Sequence, residues 1–191
     1  RSVSRGLGDV YKRQINNITG QSACKWLVMG WDGRESSGIF VGNPIGWLLR
    51  NVNSSLALFK DNGVRGFSKV LIAIRPGRRN KRFIDVADKI CSHFGASLTL
   101  LNIVGESDNN QKIKRTEKSS SELISGTKSK SVVKIIRSNN PVEAISEESA
   151  SYDLLILGTP EKDNWIRVLF GAGEDRFVKK AACSVLRLTI K

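Results

Sequence analysis

The sequence predicts an α/β protein, a parallel sheet with helices on both faces. Three observations predict it. Short apolar runs of strand length alternate with stretches of helical period. Some of these runs are apolar throughout, as strands covered on both faces are. One strand–loop–helix–strand pattern also occurs twice, at an offset of about 129 residues, a plausible domain length.

The elements follow in order. Arg1 to Gln14 has no apolar period and reads like a translated sequencing-adaptor remnant. On that reading 1–14 is non-native and the natural chain begins upstream. Lys25 to Gly30, KWLVMG, is a strand ending in glycine, and Asp153 to Gly158, DLLILG, repeats it. A polar loop follows each, then Gly42-Asn43 in one copy and Gly171-Ala172 in the other. The helical stretches PIGWLLRNV and GEDRFVKKA come next, and the strands SSLALF and CSVLRL close the two copies.

Only the second copy has a set of elements upstream of this unit. Lys69 to Ile74 is a buried strand. Asn80 to Gly95 is a helix whose Phe83, Ile84, Ala87, Ile90, Cys91 and Phe94 form one apolar stripe. Gly95 stands where a C-terminal cap belongs. Ser97 to Val104 and Ser131 to Arg137 are strands, with a weak helix between them over Lys112 to Ile124. Asn140-Pro141 opens another helix, asparagine as N-cap and proline at the first helical position. Asp153 to Leu157 and Ser184 to Ile190 are the last two strands. The chain therefore divides into residues 15–60, a C-terminal half, residues 61–66, a flexible glycine-containing linker, and residues 67–191, a complete domain.

Composition narrows the function classes. With 40% hydrophobic residues the chain folds, and no apolar run approaches the roughly 18 residues of a membrane span. Cys24, Cys91 and Cys183 fit neither a zinc pattern nor a disulfide framework and read as reduced cytosolic thiols. The net charge of +13 raises nucleic acid or an anionic surface as partners, but the cations are not gathered in one tract. The charge reads as a lysine-rich solvated surface, and nucleic acid is not the expected partner. The sole histidine, His93, lies on a core-facing helix, and Glu143, Glu147 and Glu148 suit a solvated helix face. No nucleophile–base set, catalytic residue or metal-ligand set emerges, and the chain is not read as an enzyme.

The chemistry lies in the loop after the repeated strand. Gly30, Gly33 and Gly42, followed by Asn43 and a helix, allow close backbone approach to a phosphate at a helix N-terminus. The spacing is neither the dinucleotide fingerprint nor a Walker A loop. With the repeat and the strand order, it resembles the universal stress protein family, whose ATP-binding members carry G-x2-G-x9-G-[ST] here. The resemblance covers nearly all of Lys25 to Lys191.

It implies a Rossmann-like, five-stranded parallel sheet of order 3-2-1-4-5 and pairing through the last strand, within the chain or in a homodimer. It also implies a cytoplasmic regulatory role in stress response, with ATP or a related adenine nucleotide as the expected ligand. Such modules also form cytosolic parts of amino-acid permeases and cation antiporters, so a transporter membrane domain is a further expected partner. A weak ATPase is the enzymatic alternative.

This sequence departs from the pattern. The first copy has eight residues between Gly33 and Gly42, and Asn43 replaces the hydroxyl residue. In the second copy, Gly158 and Gly171 remain, but Glu161 replaces a glycine and Ala172 the hydroxyl residue. Arg75 stands where ATP-binding members have aspartate. The second loop is thus degenerate, and Arg75, Arg78 and Arg79 at the end of the Lys69–Ile74 strand form an alternative anion or acidic-partner site.

Overall fold

The computed structural model describes residues 14, 15, 17, 24–31, 52–74, 80–159 and 175–191. They contain seven strands and, from residue 80 onward, four helices. The strands are β1 (Trp26–Gly30), β2 (Ser55–Lys60), β3 (Lys69–Ala73), β4 (Ser97–Val104), β5 (Ser131–Arg137), β6 (Leu154–Gly158) and β7 (Ser184–Thr189). The helices are α1 (Asn80–Phe94), α2 (Asn110–Ile124), α3 (Pro141–Ser149) and α4 (Arg176–Lys180).

All seven strands lie in one sheet, in the order β1-β2-β7-β6-β3-β4-β5. The sheet is mixed: β2 and β7 are antiparallel and every other neighbouring pair is parallel. The five strands expected within residues 67–191 are parallel and in the expected order 3-2-1-4-5, but β1 and β2 join them, so the five-stranded sheet is corrected to a mixed one of seven strands. The last two strands of residues 15–60 do not pack as a separate layer. They extend the edge of β7, whose free backbone groups would otherwise be exposed.

Side-chain alternation along β6 shows how the core is split. Leu155 and Leu157 point to one face with Ile145 of α3 and Val178 of α4. Leu154 and Ile156 point to the other with Phe83, Ile84, Ala87 and Cys91 of α1 and Ile124 of α2. This period of two, on strands buried on both sides, is why β3 and β6 read as continuous apolar runs.

Local signals account for the helix ends. The Asn140 side chain accepts from Glu143 N and precedes Pro141 at the start of α3. Gly95 has φ 67°, and Ala96 N donates back to Cys91 O at 2.8 Å, the glycine-capped ending of α1. The intervening helix α2 is longer than its composition suggests, starting at Asn110 with Asn109 as N-cap.

The apolar stripe of α1 is buried at Phe83, Ile84, Ala87 and Cys91, but not at its end. Phe94 is 49% exposed and His93 is exposed, so the expectation of a core-facing end fails.

The segment expected to be flexible, residues 61–66, is tied down at its start. Asn62 donates from its side chain to Cys183 O (2.8 Å) and Ala181 O (3.4 Å), and from its backbone N to Ser184 Oγ (3.0 Å). Lys60 Nζ donates to Val178 O at 2.9 Å.

Candidate functional site

Sheet topology fixes where a ligand crevice can lie. From β3 the chain proceeds outward to β4 and β5, then returns to place β6 on the opposite side of β3. The strand order reverses between β3 and β6, and their C-terminal ends frame the crevice typical of open α/β sheets. Ala73 of β3 stands opposite Leu157 of β6 there, with Gly158 next.

Gly158 is needed for packing. A Cβ at this position would lie 3.2 Å from Ile74 Cγ2 and 3.2 Å from Phe83 Cζ, too close without displacement. The glycine lets α1 settle on the end of β6. Gly30 differs, since a Cβ there would meet nothing within 4 Å. Because β2 runs antiparallel to β7, Gly30 points to the opposite edge of the sheet from Gly158. The strands that lead into the two predicted glycine loops therefore end at opposite edges of the sheet. Gly33, Gly42, Asn43, Glu161, Gly171, Ala172, Arg75, Arg78 and Arg79 lie outside the described residues.

Among the described residues near Gly158, several polar groups bond to the protein itself. Thr159 N donates to Leu188 O at 2.8 Å, and its hydroxyl accepts from Thr189 Oγ1 at 2.9 Å. At the start of α4, Asp175 Oδ1 accepts from Phe177 N (3.0 Å) and Val178 N (3.4 Å). A carboxylate of the protein itself thus occupies the position an external anion would take.

Sequence reasoning missed the strongest electrostatic feature at this end. Arg187 of β7, 4% exposed, forms an ion pair with the fully buried Asp175. Its Nη1 also donates to Gly158 O at 3.2 Å, and its guanidinium lies 6.0 Å from the Phe177 ring centroid. Among the described residues its Nε has no hydrogen-bond partner. Burial pushes the Arg187 pKa down, and Asp175 pulls it back by charge and hydrogen bonding. The available signal was a charged residue in the apolar run SVLRLT, since a buried cation requires a partner. Which partner could not be read locally.

A second polar hollow of about 360 Å³ lies beyond β4, lined by Ser107, Asp108, Asn109, Gln111, Lys112 and Arg115. Asp108 accepts from Lys112 Nζ (2.7 Å) and Gly105 N (2.8 Å). The Lys112 hydrogen bond, then the Gly105 N–H and the nearby cationic charges, hold its carboxyl below the ordinary range. Among the described residues no cluster of metal-ligating side chains occurs. No helix there is long and apolar enough to cross a membrane.

No family model matches the sequence, and no curated protein matches it. Solved structures do. A universal stress protein from Archaeoglobus fulgidus DSM 4304 aligns with a TM-score of 0.64 at 17% identity, over 91% of this chain and 64% of that one. A universal stress protein in complex with cAMP aligns at 0.53 and 15% identity, over 66% of this chain and 99% of that one. The universal stress protein from Archaeoglobus fulgidus in complex with dAMP aligns at 0.50 and 15% identity, over 64% and 98%. At these identities the likeness establishes a shared α/β fold.

Proposed function

We propose that this chain is a regulatory binding module of the universal-stress-protein type, acting in stress response. In this reading it comprises the C-terminal half of one copy, 15–60, and a whole second copy, 67–191. The observation that carries the reading is the β2–β7 register. The repeat offset of about 129 residues moves Ser55–Lys60 onto Ser184–Thr189 and Leu58 onto Arg187. Leu58 and Arg187 stand directly opposite each other in the antiparallel pair. Equivalent residues of two copies face each other in this way only where a two-fold axis passes. Both edges of β7 are paired within the chain, by β6 and β2, which supports the intrachain alternative over a homodimer through the last strand.

Adenine nucleotides are the ligand class suggested by the neighbours that hold cAMP and dAMP. The described residues of the second copy fit the phosphates of such a ligand poorly, because Asp175 pairs with Arg187 and caps α4, and Thr159 bonds to Leu188 O and the Thr189 hydroxyl. We therefore read this copy as a structural and partner-binding unit with a degenerate nucleotide crevice, and assign it no catalysis. Its only histidine, His93, supports that reading, since it ends α1 at the far edge of the sheet from Gly158. Isothermal titration with ATP, cAMP, dAMP and inorganic phosphate tests it. Dissociation constants no tighter than about 1 mM are expected. Micromolar binding of any of the four would overturn the degenerate-crevice reading.

A further inference from the structure

The edge of the sheet where β3, β4 and β5 begin carries a surface that the nucleotide crevice does not use. Phe94 is 49% exposed there. Its ring packs edge-on with Phe67, centroids 5.0 Å apart, and with His93, 4.9 Å apart. Five exposed cations lie on the segments that meet at this edge: Arg65 and Lys69 on either side of Phe67 in sequence, Lys89 on α1, and Lys128 and Lys130 leading into β5. Backbone bonds bring these segments together. Ser97 N donates to Ser68 O, Leu98 N to Lys130 O, and Lys128 N to Asp88 of α1.

None of the five forms an ion pair among the described residues. The adjacent carboxylates are turned onto the backbone. Asp88 accepts from Lys128 N and Ser129 N, and Asp153 from Ser68 N and Lys69 N. Asp61 lies two strands away, bonded to Ser184 at the start of β7.

We propose that this edge docks on a bilayer surface carrying anionic headgroups, with Phe94 entering the interface and the lysines contacting the headgroups. Charge complementarity selects the partner, in a chain of net charge +13. A half-exposed phenyl ring set among cations is the pattern of interfacial anchoring. Stacking on nucleic-acid bases suits the site less. The Phe94 ring is already engaged by two aromatic neighbours, and four of the five cations are lysines, which act as point charges without a planar face.

Co-sedimentation with vesicles of phosphatidylcholine alone, and of phosphatidylcholine with phosphatidylserine, tests this. Binding is expected only to the anionic vesicles, weakening as salt rises. Lys128→Gln with Lys130→Gln should weaken it by about five-fold per lysine. Phe94→Ala, checked for folding by circular dichroism, should weaken it further. Lys112→Gln with Lys114→Gln, at the other end of the sheet, should leave it within about two-fold. Absence of binding to the anionic vesicles would overturn the proposal. Equal losses in the two lysine pairs would also overturn it, by reducing the effect to net charge. So would tighter binding to a single-stranded oligonucleotide than to the vesicles.

Discussion

Replacing Arg187 by leucine, the residue at the equivalent position Leu58 across the β2–β7 pair, tests the role of the buried ion pair. The substitution leaves the Asp175 carboxylate fully buried without its cation and removes a donor from Gly158 O. Breaking a buried pair from one side costs about 3–5 kcal/mol. Asp175→Asn breaks it from the other side, but asparagine can still cap α4, so the helix start is kept. Its cost, about 3–5 kcal/mol, comes from the uncompensated guanidinium.

The double variant carries neither charge and also removes the unpartnered Arg187 Nε, whose burial costs about 1–3 kcal/mol. It should therefore lie within about 2 kcal/mol of the parent, well above either single variant. Urea unfolding followed by tryptophan fluorescence and circular dichroism supplies the four free energies of the cycle. Each single variant should also melt about 10 °C lower, given roughly 2–4 °C per kcal/mol at this chain length. Additive single effects, or a double variant less stable than both singles, would refute the argument that desolvation dominates this pair.

Gly158→Ala places a methyl group 3.2 Å from Ile74 and Phe83 and should destabilise the fold by about 1–3 kcal/mol, measured by the same unfolding. Burial pushes the Cys91 and Cys183 thiols up to about 11, so a thiol reagent at pH 8 should modify Cys24 well ahead of both, with the slow pair released by urea; three equally fast thiols would contradict the packing. Burial pushes the Asp88 carboxyl up, but the Ser129 hydroxyl, the Lys128 and Ser129 N–H donors and the Lys128 charge outweigh it and hold the carboxyl below its ordinary value of 3.8. Its stabilisation is therefore full above pH 3.8 and lost as pH falls through the lower folded value. The cost of Asp88→Ala should shrink across that window in unfolding measured against pH.

Much of the fold is legible in the sequence because its signals are local. The strands over Ser97–Val104 and Ser131–Arg137 have the same bounds in sequence and structure, and Gly95 and Asn140 cap the helices their positions predict. Period and capping depend on residues within a few positions of one another. The end of α1 escapes sequence reasoning for a related reason: the stripe predicts a facing side for Phe94 but not whether any strand extends far enough to cover it. At the candidate site, Gly158 stands out from its place after an apolar strand, yet its packing against Ile74 and Phe83 involves residues distant in sequence.

The sequence alone determined the alternation of strands and helices and the repetition of one unit at about 129 residues. Its +13 charge was also plain, but not its arrangement. Tertiary structure decided that the repeated strands β2 and β7 pair antiparallel in one seven-stranded sheet, which places Gly30 and Gly158 at opposite edges. It also brought Arg187 to Asp175 and joined the segments that carry five exposed cations at the edge where Phe94 lies. The physical reason is common to these. Pairing direction, ion-pair partners and surface clustering depend on contacts between residues far apart in the chain, whereas hydrophobic period and capping are fixed within a few residues.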